Sequence, residues 1–208
     1  MFVLSVDPSC EPINTLNSLT KGVTAMLRLK LMTVVALLAV AFAAQADSPG
    51  VGAPAPAFKL QDQNNQWHEL GDYKGRWVVL FFYPKADTPG CTTEACEFRD
   101  NIFAFEDAGA SVVGISLDDV KSQKDFAEKY HLPFPLLSDS RQAVAEAYGV
   151  LGSFGSIVVA KRHTFLIAPD GTVAKHYEKV NPSTHSKQVL ADLDGLMSAA
   201  DGSSPGSL

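Results

Sequence analysis

The chain has 208 residues, 46% of them hydrophobic, and a formal net charge of −6. That length supports one domain with a substantial core rather than two. No long basic cluster is present, which argues against nucleic acid as a partner, and the charged residues are interspersed as on a solvated surface.

The N-terminal region departs from this pattern. Leu31–Ala44 is apolar apart from Thr33, Arg28 and Lys30 precede it, and Ala44-Gln45-Ala46 follows. A basic stretch, an apolar stretch and an A-x-A site predict a secretory signal cleaved after Ala46. The alternative, an uncleaved anchor, needs a span of about 20 apolar residues, and this run is shorter. Signals start near their basic residues, so Met26 is the expected start, with 1–25 an over-extended reading frame and Cys10 outside the mature chain. The expected organisation is an N-terminal extension and signal over 1–46, one domain over 47–200 and a flexible Gly/Ser-rich tail over 201–208. The predicted location is across the inner membrane, in the periplasm, with no stable membrane association once the signal is removed. Residues 47–208 hold 14 basic and 21 acidic side chains and two cysteines, Cys91 and Cys96. In an oxidising compartment such a pair can be a permanent or a cycling disulfide.

Asp47–Ala57 reads as an extended lead-in. Phe58–Leu60 and Trp67–Leu70 flank the polar Asp62–Gln66, as in a hairpin, and Gly71–Gly75 is a turn. Trp77–Tyr83 is an apolar run that reads as a buried strand, closed by Pro84, which cannot donate to a ladder. Apolar residues at 91, 95, 98, 102 and 105 predict one helix over Cys91–Ala108, stopped by Gly109. Ser111–Leu117 reads as a second buried strand, Ser122–Tyr130 as a helix, Pro135–Ser138 as a short strand and Gln142–Tyr148 as a helix. Val150–Ala160 is apolar, contains glycine and carries no assignable period. Thr164–Ala168 and Thr172–Tyr177 form a hairpin around Asp170-Gly171, and Asn181–Ser183 precedes a last amphipathic helix over Ser186–Ala199. This alternation predicts an α/β fold: a mixed sheet with helices on both faces, and 77–83 and 111–117 as central parallel strands.

The chemistry concentrates in Pro84-Lys-Ala-Asp-Thr88-Pro-Gly-Cys91-Thr-Thr-Glu94-Ala-Cys96. A helix opening at Cys91 offers unsatisfied N–H groups and the positive end of its dipole, which favour thiolate over thiol. The Thr88 hydroxyl, three residues earlier, is placed to donate to the sulfur and to accept from an incoming hydroxyl. Glu94 lies one turn on and can hold a basic residue. Tyr83, at the strand end, is a candidate wall of a substrate pocket. The histidines at 68, 131, 163, 176 and 185 show no metal-ligand spacing to either cysteine and read as surface or hairpin residues. No metal and no cofactor is expected.

This loop resembles the active-site loop of peroxiredoxins. The second cysteine five positions on, followed by Phe98-Arg99-Asp100, is similar to the peroxiredoxin Q, or bacterioferritin comigratory protein, subfamily. The resemblance runs from about Gly52 to Leu196 and includes Gly75–Pro84, Gly114-Ile-Ser116 and Lys161–Ile167. It implies a thioredoxin-like fold and thiol-dependent reduction of hydrogen peroxide and organic hydroperoxides. It further implies Cys91 as the peroxidatic residue, Cys96 as the resolving one through an intrachain disulfide, and a thioredoxin-like dithiol protein as reductant. Arg162 matches the family's site arginine by its place before Thr164-Phe-Leu-Ile, with Lys161 and Arg99 as rival basic residues. Pro84, Glu94 and Tyr83 fall at substrate-facing positions, and the subfamily points to a monomer. Two other readings stay open: a secreted thiol–disulfide oxidoreductase, which normally carries Cys-x-x-Cys, and a non-catalytic binding module on the same fold.

Geometry adds an expectation. Five helical residues separate the two sulfurs by about 7.5 Å of rise and about 140° of rotation, while a disulfide needs Cα atoms within roughly 7 Å. The helix at Cys91 must therefore unwind for the bridge to close.

Overall fold

The computed structural model describes residues 47–200; the predicted signal and the 201–208 tail lie outside them. Three parallel strands form the centre: β3 (Trp77–Phe82), β4 (Ala110–Ser116) and β5 (Leu136–Ser138). The hairpin β1 (Lys59–Gln61) and β2 (Trp67–Glu69) joins beside β5. The antiparallel pair β8 (His163–Ile167) and β9 (Val173–Tyr177) joins beside β3. The resulting order is β2-β1-β5-β4-β3-β8-β9. The expected mixed α/β sheet with β3 and β4 inside it is what forms.

Strand alternation divides the core into two layers. Val79, Phe81 and Tyr83 face α1 (Pro89–Asp100), α2 (Ile102–Asp107), α3 (Val120–Tyr130) and α5 (His185–Ala200). Val78, Leu80 and Phe82 face α4 (Ala143–Ala147) and the strands' other side chains. Gly114 is required by packing. A methyl group there would lie 2.7 Å from Phe81 Cζ and 2.8 Å from Leu136 Cδ2, so the absent side chain is the space that the Phe81 ring fills.

Two helix expectations need correction. The stretch 91–108 is two helices, because Asn101 leaves the helical conformation (φ −109°, ψ 12°). Its side-chain Nδ2 donates to the Glu97 carbonyl at 2.8 Å, so a side chain takes the acceptor that the next turn would use. The first helix also begins two residues earlier than expected, at Pro89, whose ring presets a helical φ and whose missing N–H costs nothing at that position. The unassigned stretch resolves into β6 (Leu151–Phe154) and β7 (Ile157–Ala160), a separate two-stranded hairpin. The Cys91 loop and β6–β7 flank the same opening.

Candidate active site

Tyr83 donates the last bond of β3, from its amide to the Ile115 carbonyl at 3.1 Å, and Pro84 ends the ladder. The loop that follows is held from two directions. The Ala86 amide donates to Asp118 Oδ2 at 2.8 Å, and that oxygen also accepts from Ser116 Oγ at 2.8 Å. Asp87 takes the left-handed conformation (φ 57°) and accepts from Lys129 Nζ at 2.8 Å and from the Tyr130 hydroxyl at 2.7 Å. Hydrogen bonds from Lys129, then Tyr130, hold the Asp87 carboxyl below its ordinary range. The first helical bond of α1 runs from the Thr92 amide to the Thr88 carbonyl at 2.8 Å. The Gly90 and Cys91 amides precede it and have no helical acceptor.

Cys91 is 2% exposed and sits in the core layer with Tyr83, Ala95 and Phe98. Arg162, just before β8, donates from Nη2 to Cys91 Sγ at 3.3 Å. Its Nη1 donates to Glu94 Oε2 in a close ion pair. Glu94 is fully buried and its second oxygen, Oε1, has no hydrogen-bond partner. Burial pushes the Glu94 carboxyl up to about 7, against the pull of Arg162. Burial works against the Arg162 charge, but Glu94 and Cys91 outweigh it and raise its pKa. One guanidinium thus serves a carboxylate and a sulfur together. Gly90 leaves room for it: a methyl there would lie 3.3 Å from Arg162 Nη2.

The remaining expected site residues divide. Pro84, Thr88 and Arg162 line one groove at the mouth. Thr88 does not donate to the sulfur; its hydroxyl donates to the Lys85 carbonyl at 2.9 Å, which leaves its oxygen only as an acceptor. Tyr83 does not line that groove. It is 1% exposed, and its hydroxyl donates to Gln123 Oε1 beneath the site, because a buried phenol needs a partner. Glu94 holds the basic residue as expected, and it is fully buried. Of the rival cations, Arg99 donates to the Tyr130 carbonyl at 2.7 Å and to Asp100 at 2.8 Å, and Lys161 lies along the groove. His185, expected on the surface, is fully buried with Nε2 2.8 Å from Thr164 Oγ1, and burial lowers its pKa to about 4. Both thiols are free, Cys91 buried and Cys96 half-buried, on one uninterrupted helix.

The groove has a volume of about 610 Å³. Its outer wall is the hairpin: Phe154 and Ile157 are 81% and 64% exposed, with Val159 behind them. The sequence singled out none of these three. The signal was present as Gly155-Ser156, a two-residue turn between two four-residue runs; Gly155 takes φ 61° there.

The sequence model of the AhpC/TSA family matches residues 51–176. The chain belongs to the AhpC/TSA family. This peroxiredoxin is 40% identical over 150 residues to peroxiredoxin Bcp of Bacillus subtilis, a match covering 70% of this chain and 96% of that protein. The crystal structure of peroxidoxin BcpB from Mycobacterium tuberculosis superposes with a TM-score of 0.67 at 38% identity, over 71% of this chain and 98% of that one. A structure of the Xanthomonas campestris bacterioferritin comigratory protein, which has alkyl peroxide reduction activity, superposes with a TM-score of 0.64 at 35% identity, over 67% of this chain and 91% of that one. The fold is thioredoxin-like, and the enzyme is a thiol-dependent peroxidase of the two-cysteine, intrachain-disulfide kind.

Proposed function

We propose that Cys91 is the sulfur that attacks the peroxide, that Cys96 resolves it, and that Arg162 and Thr88 orient the peroxide. The Cys91 thiolate forms an S–O bond as the O–O bond breaks. The leaving oxygen takes a proton and departs as water or an alcohol, and a sulfenic acid remains. Negative charge builds on the departing oxygen, where a pre-aimed guanidinium and free helix N–H groups act most strongly. Arg162, already 3.3 Å from Sγ, supplies the first of these, and the Gly90 and Cys91 amides the second. Thr88 accepts the hydroperoxide's proton in a hydrogen bond, and Pro84 walls the mouth. Cys96 then attacks the sulfenic sulfur, water leaves, and the disulfide forms. A thioredoxin-like dithiol protein returns two electrons and both thiols.

The single observation that carries this reading is Arg162 bridging the Cys91 sulfur and the buried Glu94. The apolar groove beside Thr88 supports organic hydroperoxides as substrates alongside hydrogen peroxide: an alkyl group fits where a water-like substrate gains nothing. The enzyme acts as a monomer in the periplasm after cleavage at Ala46, and so draws on a reductant outside the cytoplasm; the basic-apolar-small pattern of 28–46 supports this. Mass spectrometry of the mature N-terminus tests the location, with Asp47 as the expected first residue.

Peroxide consumption with dithiothreitol tests the chemistry. Cys91→Ser is expected to abolish turnover. Cys96→Ser is expected to allow one oxidation and to impair recycling by protein dithiols. Turnover by Cys91→Ser at the wild-type rate would overturn the assignment.

A further inference from the structure

The two halves of α1 are tethered differently. From Pro89 to Cys96 the polar ties to the rest of the fold are those of Arg162, to Cys91 and Glu94; the Thr93 hydroxyl bonds only to the Pro89 carbonyl within the helix. From Glu97 onward the helix is fixed three times. Arg99 Nη1 donates to the Tyr130 carbonyl at 2.7 Å. Ser186 Oγ donates to Glu97 Oε2 at 3.3 Å and accepts from Asn101 Nδ2 at 3.1 Å. Phe98, fully buried, packs between Phe81, Phe105 and His185. Tyr130 also reaches the other side of the reactive segment, since its hydroxyl donates to Asp87 at 2.7 Å. A single residue therefore holds the chain just before the Cys91 helix and just after Cys96.

We propose that Tyr130 is a positioning residue that bounds the redox-linked unwinding, fixing Asp87 with its hydroxyl and Arg99 with its carbonyl, so that only 88–96 between them comes loose. This rests on the Cys91–Cys96 disulfide of the preceding section. Cys96 is then the last residue before the retained turn, and Cys91 is the sulfur that travels. A loop with both ends held loses little extra entropy when it recloses, so the reduced site reforms without a search by the rest of the helix. Asp87 shows why the first anchor is needed: a non-glycine residue at φ 57° sits in a sparsely populated conformation, and Tyr130 and Lys129 hold it there.

Hydrogen exchange read by mass spectrometry on the reduced and peroxide-oxidised protein tests this. In the wild type, oxidation is expected to raise exchange over 88–96 and to leave 97–107 within twofold of the reduced protein. Arg99→Gln is expected to extend the oxidation-linked increase through 97–100 by tenfold or more, with the reduced form unchanged. Tyr130→Phe keeps the ring against Phe126 and is expected to extend the increase to 84–87. The proposal is overturned if oxidation of the wild type already exposes 97–107, or if both variants reproduce the wild-type limits. If Arg99→Gln does not fold, the wild-type limits and Tyr130→Phe decide alone. Peptide mapping of the same samples separates the two levels: no Cys91–Cys96 bond after peroxide sinks the cysteine assignment, whereas a bond with unbounded exchange sinks only the role of Tyr130.

Discussion

At the floor of the Cys91 site, the sulfur and the Glu94 carboxyl are buried and meet one guanidinium, whereas at its rim Phe154 and Ile157 stand 81% and 64% exposed. The floor is enclosed and built from α1 and the residue just before β8; the rim is apolar and belongs to a separate hairpin. On the function proposed above, the floor acts on what all hydroperoxides share, an O–O bond that gathers charge as it breaks, and the rim on what distinguishes them, the group on the far oxygen. Rate and selectivity are separable on that proposal.

The strongest way to break that comparison is Arg162→Gln. Losing one pre-aimed donor to a developing oxyanion costs about 10²–10³ in rate, and the same loss is expected for hydrogen peroxide and for an alkyl hydroperoxide in stopped-flow oxidation of Cys91. A loss confined to one substrate would mean that the floor selects. The double variant Phe154→Ser/Ile157→Ser should do the opposite. Apolar contact worth roughly 1.5 kcal/mol predicts a drop of about tenfold in kcat/KM for a long alkyl hydroperoxide and none for hydrogen peroxide. Thr88→Val removes an acceptor at the border between the two regions and also leaves the Lys85 carbonyl without its donor. A hydrogen bond worth about 1 kcal/mol implies a loss of about fivefold on both substrates.

Glu94→Gln sharpens the comparison through pH, with the smallest effect. Burial raises the folded Glu94 carboxyl from its ordinary value of 4.5 to about 7. Between those limits the folded chain binds more protons than the unfolded one, so this contribution to stability is complete below the unfolded pKa and is lost as pH rises through about 7. Glu94→Gln is expected to flatten the dependence of the denaturation midpoint on pH across that window. A protonated carboxyl resembles an amide, so variant and wild type should oxidise at similar rates in acid and diverge as pH rises past 7. A constant ratio across pH would show that Glu94 does not act through its charge.

How much of this was legible in the sequence depended on how local the signal was. Trp77–Phe82 is a continuous apolar run and Ala110–Ser116 a mostly apolar one, and both became central parallel strands. The Cys91 loop was legible because its proline, threonine, glycine and cysteine occupy eight consecutive positions. Glu94 as the holder of a basic residue was legible from its place one turn into the helix, but that the residue is Arg162, 68 positions away, came through family resemblance alone, since no local period links them. Tyr83 and His185 were misread because each found a partner, in Gln123 and Thr164, that is distant in sequence though close in space; Thr88 was misread because its hydroxyl turns back to a carbonyl three residues earlier instead of toward the sulfur. The break at Asn101 was invisible to a hydrophobic period that continues through it at 102 and 105.

The hairpin β6–β7 shares no ladder with the main sheet, and its tip turns on Gly155-Ser156 with Phe154 opposite Ile157. Such an appendage can be rewritten in length and side-chain size while the catalytic floor keeps its geometry. Lineages confronted with different oxidants could therefore retune this enzyme by editing a handful of codons in one ribbon, and a laboratory library confined to 153–158 would follow the same path.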